Sequence, residues 1–230
     1  PAGVDAHRAV PRTIDSVALL PYLTQPGQES LRTINFSMSG SNVQANDALG
    51  MYEFGNSVSV RAFGFRQIGF LLDDIPMGRS DQFGGSPIYR YVDNENLSQV
   101  TASSGAGDVS LASYASLGPI VSYITKPPSE DFSGLVNFSR GSDELLRAFA
   151  RIETGEIKGF SASASISTIS GELWRGPGTI DRTHIEAKLQ YRFANDATLT
   201  FQTVHNDYFD YDSPAITKAQ YAGTAGDIFG

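Results

Sequence analysis

Between Phe160 and Arg192 the chain alternates apolar and hydrophilic residues with a period of two, and that pattern narrows the folds open to it. Phe160, Ala162, Ala164 and Ile166 share one parity, and Ser161, Ser163, Ser165 and Ser167 share the other. Further on, Ile185, Ala187, Leu189, Tyr191 and Phe193 interleave with His184, Glu186, Lys188, Gln190 and Arg192. Successive side chains of a strand project to opposite faces, so both stretches are long strands with one greasy and one wet surface. Two architectures use such strands. A soluble sandwich packs the apolar faces together, whereas a membrane barrel turns them outward on strands of roughly 10 residues with aromatic residues near the ends.

Composition removes several alternatives. The 230 residues suffice for one or two domains with a sizeable core. The formal charge is -8 and the 17 Lys and Arg are scattered, which argues against nucleic acid as a partner. With no cysteine, neither a disulfide framework nor a thiolate metal site is possible. The densest apolar runs, Val17–Leu20 and Ile68–Leu72, fall far short of the roughly 18 residues of a membrane-spanning helix. Any membrane crossing is therefore by barrel strands. Pro1 is not followed by a charged segment and an apolar stretch, so export is not legible at this end.

The character of the chain changes at Lys126-Pro127-Pro128, a break that no central strand or helix continues through. Ahead of it the apolar runs are short and irregular, as in a compact mixed α/β domain. A short helix is predicted over Ser30–Phe36, strands over Ser57–Arg61, Gly69–Leu72 and Pro119–Thr125, and a turn at Asp73-Asp74-Ile75-Pro76. Beyond it, antiparallel strands are predicted over Gly134–Ser139, Leu145–Glu153, Phe160–Ile169, His184–Phe193 and Thr198–Asn206. Ala194–Ala197 reads as a tight turn and Ser170–Thr183 as a long loop, the asymmetry expected between the two rims of an outer-membrane barrel.

Several segments carry a resemblance. Val58-Ser59-Val60-Arg61-Ala62-Phe63-Gly64-Phe65, followed by Gly69-Phe70-Leu71-Leu72-Asp73-Asp74-Ile75-Pro76, resembles the plug signature of TonB-dependent outer-membrane receptors, an "I-R-G-F" segment and then an "L-D-G-I-P" turn. Ile120–Pro127 is similar to the "V-I-N-I-V-T-K-R-P" strand that closes such plugs, and Val10–Ile14 to their "V-P-Q-S-V" opening. The matches come in the family's order and span essentially the whole chain. Departures accompany them: Ala62 and Asp74 stand where the family has Gly, Gly118-Pro119 replaces Gly-Gly, Ser122 replaces Asn, and Ser103–Ala106 replaces "L-R-G-P".

The resemblance implies an α+β plug domain over residues 1–127, then the first antiparallel strands of a transmembrane β-barrel over 128–230. The family's barrel has roughly 22 strands around a plugged lumen, and at about 10 residues each they need about 220 residues. The chain is thus expected to be an incomplete barrel. Implied too is active uptake of a scarce nutrient across the Gram-negative outer membrane, a ferric siderophore first and a carbohydrate, vitamin or aromatic compound next. The implied partners are that ligand, a TonB-type energising protein and outer-membrane lipid; the energising-protein contact segment is not legible in Pro1–Ala9. Iron travels inside the ligand, so no cofactor and no protein-bound metal is expected.

Of the motif arginines, Arg61 is retained and by resemblance makes a plug–barrel contact. Ligand contacts are expected from Arg79 and Gln82 in one plug apex and Tyr114 in another. Trp174 and Arg175 in the long loop, and Tyr208 and Tyr211 after the fifth strand, complete the set. Aromatic rings with Arg suit stacking and charge-assisted bonding to a bulky anionic ligand; read conservatively, the two tyrosines are interfacial girdle residues. No catalytic constellation accompanies them. His7, His184 and His205 lack metal-ligand spacing, His184 reads as a solvated wall residue, Ser103-Ser104-Gly105 lacks a nucleophile-elbow context, and Asp73-Asp74 reads as a turn. The rival class, a soluble all-β binding or adhesion module, requires the Phe160 and Ile185 rows to meet in a dry interior.

Overall fold

Two adjacent prolines carry no N–H and cannot extend a ladder, and at them the chain divides into two compact units, Pro1–Lys126 and Pro127–Gly230. The structure, a computed structural model, describes residues 12–15, 40–45, 56–64, 67–77, 88–103, 118–173, 177–211 and 217–218.

The strands of unit 1 are β1 (Arg12–Asp15), β2 (Ser41–Gln44), β3 (Ser57–Val60), β4 (Phe63–Gly64), β5 (Gly69–Leu72), β6 (Ile75–Pro76), β7 (Leu97–Ala102) and β8 (Ile120–Thr125). They make a five-stranded sheet in the order β1-β7-β8-β5-β6 and a three-stranded sheet β2-β3-β4. Only the β5–β8 pair of the larger sheet is parallel. Among the described residues of this unit, helical structure is limited to 3-10 turns at Ile88–Tyr91 and Asn94–Asn96. The helix expected over Ser30–Phe36 lies outside the described residues. The core is conventional: Val58, Val60, Leu97, Val100, Val121 and Tyr123 are sealed from solvent.

Two hairpins explain the departures at Ala62 and Asp74. Val60 pairs with Phe63 across Arg61-Ala62, and Leu72 with Ile75 across Asp73-Asp74. All four loop residues have positive φ: 48° and 70° in the first turn, 49° and 64° in the second. That is the type I′ geometry, which follows the right-handed twist of the strands and favours Gly at its second central position. Ala62 and Asp74 occupy that position with a side chain. The predicted strand over Ser57–Arg61 accordingly stops at Val60, because Arg61 opens the turn, and Ile75–Pro76 is a short edge strand rather than part of the turn. Ser103, outside any nucleophile context, accepts the Ile120 N–H at 2.8 Å and so aligns β7 with β8.

Unit 2 is an antiparallel meander of β9 (Phe132–Arg140), β10 (Leu146–Thr154), β11 (Phe160–Glu172), β12 (Thr179–Arg192) and β13 (Thr198–Asp210). The expected strands are all present and four of them, β9, β11, β12 and β13, are longer than their alternation suggested. β11 and β12 pair without interruption from Phe160↔Tyr191 to Glu172↔Thr179. The long loop predicted over Ser170–Thr183 therefore shortens to residues 173–178, since backbone pairing continues where the apolar alternation lapses into Thr, Ser and Asp. All four connections are five or six residues long, so the expected contrast between short-turn and long-loop rims is not found.

Candidate functional site

Which face of the β9–β13 sheet meets solvent follows from parity. On β11, Ser161, Ser163, Ser165 and Ser167 are buried, while Phe160 and Ile166 are exposed. On β12, Arg182, His184, Glu186 and Lys188 are buried, while Ile185, Leu189 and Tyr191 are exposed. The pattern is inside-out relative to unit 1. Phe132 is 75% exposed and Phe201 62%, whereas His184 is 0% exposed. His184 is thus not the solvated wall residue expected of it: the polar parity is the one withdrawn from water. The apolar rows do not meet in a dry interior, so the sandwich arrangement is not formed.

Burying charged groups is tolerable only with compensation. Arg151 Nε donates to Glu153 Oε1 at 2.6 Å, with side-chain exposures of 6% and 11%. Glu153 Oε2 also accepts the Ser129 N–H at 3.1 Å and the Ser133 hydroxyl at 3.3 Å. Arg182 donates from Nε to Asn206 Oδ1 at 3.0 Å and from Nη1 to Ser167 Oγ at 3.3 Å, and Gln202 donates to Glu186 at 3.3 Å. The Arg151–Glu153 pair runs along β10, whereas the Ser133, Ser167, Asn206 and Gln202 links cross strands, so the inner face is tied by side chains as well as by the ladder. Arg151 and Arg182 escaped sequence reasoning. Their parity was the available signal, since each shares a face with the serines of β11.

The outer face is graded along its length. Phe132, Phe160, Tyr191, Phe193 and Phe201 cluster toward the rim formed by the β10–β11 and β12–β13 turns, with the Tyr191 and Phe193 rings edge-on at 4.9 Å. Toward the other rim the outward positions include Thr168, Ser170, Asp181, Thr183, His205 and Asp207, interspersed with Leu146 on β10 and with Phe209 and Tyr211 at the end of β13.

The expected ligand residues are not assembled into one cluster. Tyr208 is on the inner parity of β13 and donates to Asp210 at 3.0 Å. Tyr211 is on the outer parity, 53% exposed, with its ring edge-on to Phe209 at 5.3 Å. The two tyrosines thus face opposite sides of the sheet. Arg61 stands exposed at the tip of the β3–β4 hairpin, its N–H donating to the Gly40 carbonyl at 2.9 Å. Arg79, Gln82, Tyr114, Trp174 and Arg175 lie outside the described residues. Among the described residues no group of three metal-ligating side chains is present, and no helix is long and apolar enough to cross a membrane.

No protein-family model matches the chain, and no curated protein matches it. Solved structures do. The pyoverdine outer membrane receptor of Pseudomonas aeruginosa PAO1, bound to pyoverdine, superposes with a TM-score of 0.66 at 17% identity, over 87% of this chain and 28% of that one. A mutant ferric enterobactin receptor from Pseudomonas aeruginosa, in complex with enterobactin, gives 0.64 at 16% identity, over 87% and 33%. A complex of such a receptor with pyocin S2 gives 0.65 at 17%, over 87% and 25%. The likeness establishes the fold: the chain has the architecture of part of an outer-membrane siderophore receptor. It spans between a quarter and a third of the length of these proteins.

Proposed function

We propose that this chain is the plug and first wall strands of a TonB-dependent outer-membrane receptor that imports a scarce nutrient, a ferric siderophore before any other. Unit 1 is the plug domain, and β9–β13 are five strands of a larger barrel whose outer face meets lipid. One observation carries the reading: the sheet of unit 2 turns its apolar parity outward and withdraws its polar parity. Water would reverse that arrangement, because each exposed apolar side chain forgoes about 1.5–3 kcal/mol of burial; lipid favours it. The aromatic cluster of Phe132, Phe160, Tyr191, Phe193 and Phe201 then forms one interfacial girdle.

The reaction is transport and needs no covalent chemistry. The solved structures with this fold are bound to pyoverdine and enterobactin, which favours a siderophore over a sugar or vitamin. Arg79, Gln82, Tyr114, Trp174, Arg175 and Tyr208 are the residues assigned to ligand contact. Tyr211 is given instead to the outer surface, where its ring joins Phe209. The test is ligand binding by the full-length protein in detergent, read as quenching of intrinsic fluorescence by a panel of ferric siderophores. Micromolar or tighter quenching by one of them is expected. Binding only to a sugar, vitamin or aromatic acid would replace the substrate class, and a protein that is monomeric and stable without detergent would overturn the membrane placement.

A further inference from the structure

Polar side chains stand on both faces of the β9–β13 sheet and are engaged differently. On the inner parity Arg182, Gln202 and Tyr208 donate to Asn206, Glu186 and Asp210. On the outer parity, beyond Ile166 and Ile185, polar positions run together across three strands. Thr168, Thr183 and Asp207 share one row, and Ser170 and Asp181 share the next with Phe209. Glu172 and Thr179 make a third row, where the Tyr211 N–H donates to the Thr179 carbonyl at 3.2 Å. Among the described residues, no side-chain bond within the protein engages Asp181, Thr183, His205 or Asp207. Their donors and acceptors are turned to whatever lies outside the sheet.

Two aromatic rings border this patch. Phe209 is 54% and Tyr211 53% exposed, and the rings meet edge-on at 5.3 Å. Tyr211 is seated on Gly178, where a Cβ would stand 2.8 Å from the tyrosine Cβ and 3.0 Å from its Cγ. Water alone would suit the acids and hydroxyls, but not the ring pair beyond them.

Continuity, height and charge define what would cover the patch. Ile166, Ile185 and Leu189 lie on the same outward face along the same strands, so an occupant of the whole surface is apolar over one part and polar over the next, as a lipid is. From the Thr168 row to the Glu172 row the strands advance about 14 Å, or about 10 Å along the membrane normal at a tilt of 35–45°. A phospholipid bilayer offers only about 5–8 Å of headgroup on each side of its hydrocarbon. The patch outreaches it. Glu172, Asp181 and Asp207 are acceptors when ionised and repel phosphate, whereas sugar hydroxyls donate to carboxylates and the C–H faces of a sugar ring cover aromatic ones.

We propose that this patch binds the saccharide headgroup of a membrane glycolipid whose acyl chains lie along the apolar face, an inference that rests on the membrane placement of β9–β13. Asp181, Thr183, His205 and Asp207 bond to the sugar hydroxyls, and Phe209 and Tyr211 cover its apolar edge.

The test is native mass spectrometry of the full-length protein in detergent. It is titrated with lipopolysaccharide bearing its core sugars, with the same lipid A stripped of them, and with phosphatidylethanolamine. The wild type is expected to hold the sugar-bearing lipid about tenfold more tightly than either of the others, the worth of one or two hydrogen bonds. Asp207→Ala joined with Phe209→Ala should abolish that preference, with heat-modifiable gel mobility reporting that the barrel is folded. Thr183→Val, which removes one hydroxyl and keeps the shape, should lower it about threefold and carries the test if the double variant does not fold. Equal retention of stripped lipid A, or a full preference in the folded variants, overturns the saccharide site. Loss of the preference in EDTA overturns it too, since phosphates bridged by divalent cations would then be the ligand. A protein that keeps the preference but is quenched by no ferric siderophore overturns the uptake reading and leaves this one standing.

Discussion

Unit 1 and the sheet of unit 2 obey the same alternation rule with opposite results. In unit 1, Val60, Leu97, Val100 and Tyr123 are removed from solvent as an apolar core, with the polar run Asp93–Asn96 buried beside the strands. In unit 2, Ser167, His184 and Glu186 are removed from solvent while Phe138, Leu199 and Phe201 stand out. Both units are made of strands and neither contains a cysteine, so covalent cross-links and strand geometry are not the difference. What differs is the medium proposed for the outer surface, and the cross-strand bonds that compensate the buried polar groups of unit 2.

The largest expected effect probes that compensation. Glu153→Ala removes the acceptor of Arg151, Ser129 and Ser133 and leaves a buried guanidinium, a loss of about 3–5 kcal/mol in denaturant unfolding of the full-length protein. Joining it with Arg151→Ala should recover much of the loss. If the double variant is as unstable as the sum of the singles, the inner face is not held by this pair.

Slightly smaller is the contrasting test in unit 1, where Leu97→Ala opens a cavity in a conventional core. It should cost about 3 kcal/mol by the same measurement, with or without lipid. On the outer face of unit 2 the cost should depend on lipid and on depth. Ile185→Arg, inside the apolar zone, is expected to lose about 2–4 kcal/mol in bilayers, and Leu199→Arg, near the turn rim, no more than about 1 kcal/mol. Equal costs at the two positions would break the comparison between the units.

The smallest effect sharpens the account of the turns. Asp74→Gly and Ala62→Gly each place Gly at a positive φ that a side chain adopts at a penalty of about 1–2 kcal/mol. After the added flexibility of the unfolded chain is subtracted, each should stabilise unit 1 by up to about 1 kcal/mol, read as a rise in denaturation midpoint. A destabilising Asp74→Gly would mean that the second Asp of the turn makes a contact of its own.

The long strands were legible because period-two patterning survives over Phe160–Ile166 and Ile185–Phe193, and the unit boundary because two prolines interrupt pairing. The ends of β11 and β12 were not legible. There Thr168, Ser170, Asp181 and Thr183 replace the apolar parity, and backbone pairing, to which composition is blind, carries the ladder on. Asp73-Asp74 was readable as a turn, but its handedness was not, since the usual Asn-Gly or Asp-Gly mark of a type I′ turn is absent. Of the expected site residues, Tyr208 and Tyr211 could be separated by counting parity along β13, yet the end of that strand was placed four residues too early for the count to reach them.

By itself, the order of residues determined that this protein would contain two-faced strands, where they would break, and which side chains would share a face; these follow from backbone geometry with a repeat of two. Only the tertiary structure decided which of the two faces would be hidden. Alternation is symmetric under exchange of inside and outside, and the choice depends on what each surface meets: for Ser167 and Arg182, neighbours that bond across strands, and for Phe138 and Phe201, the surrounding medium.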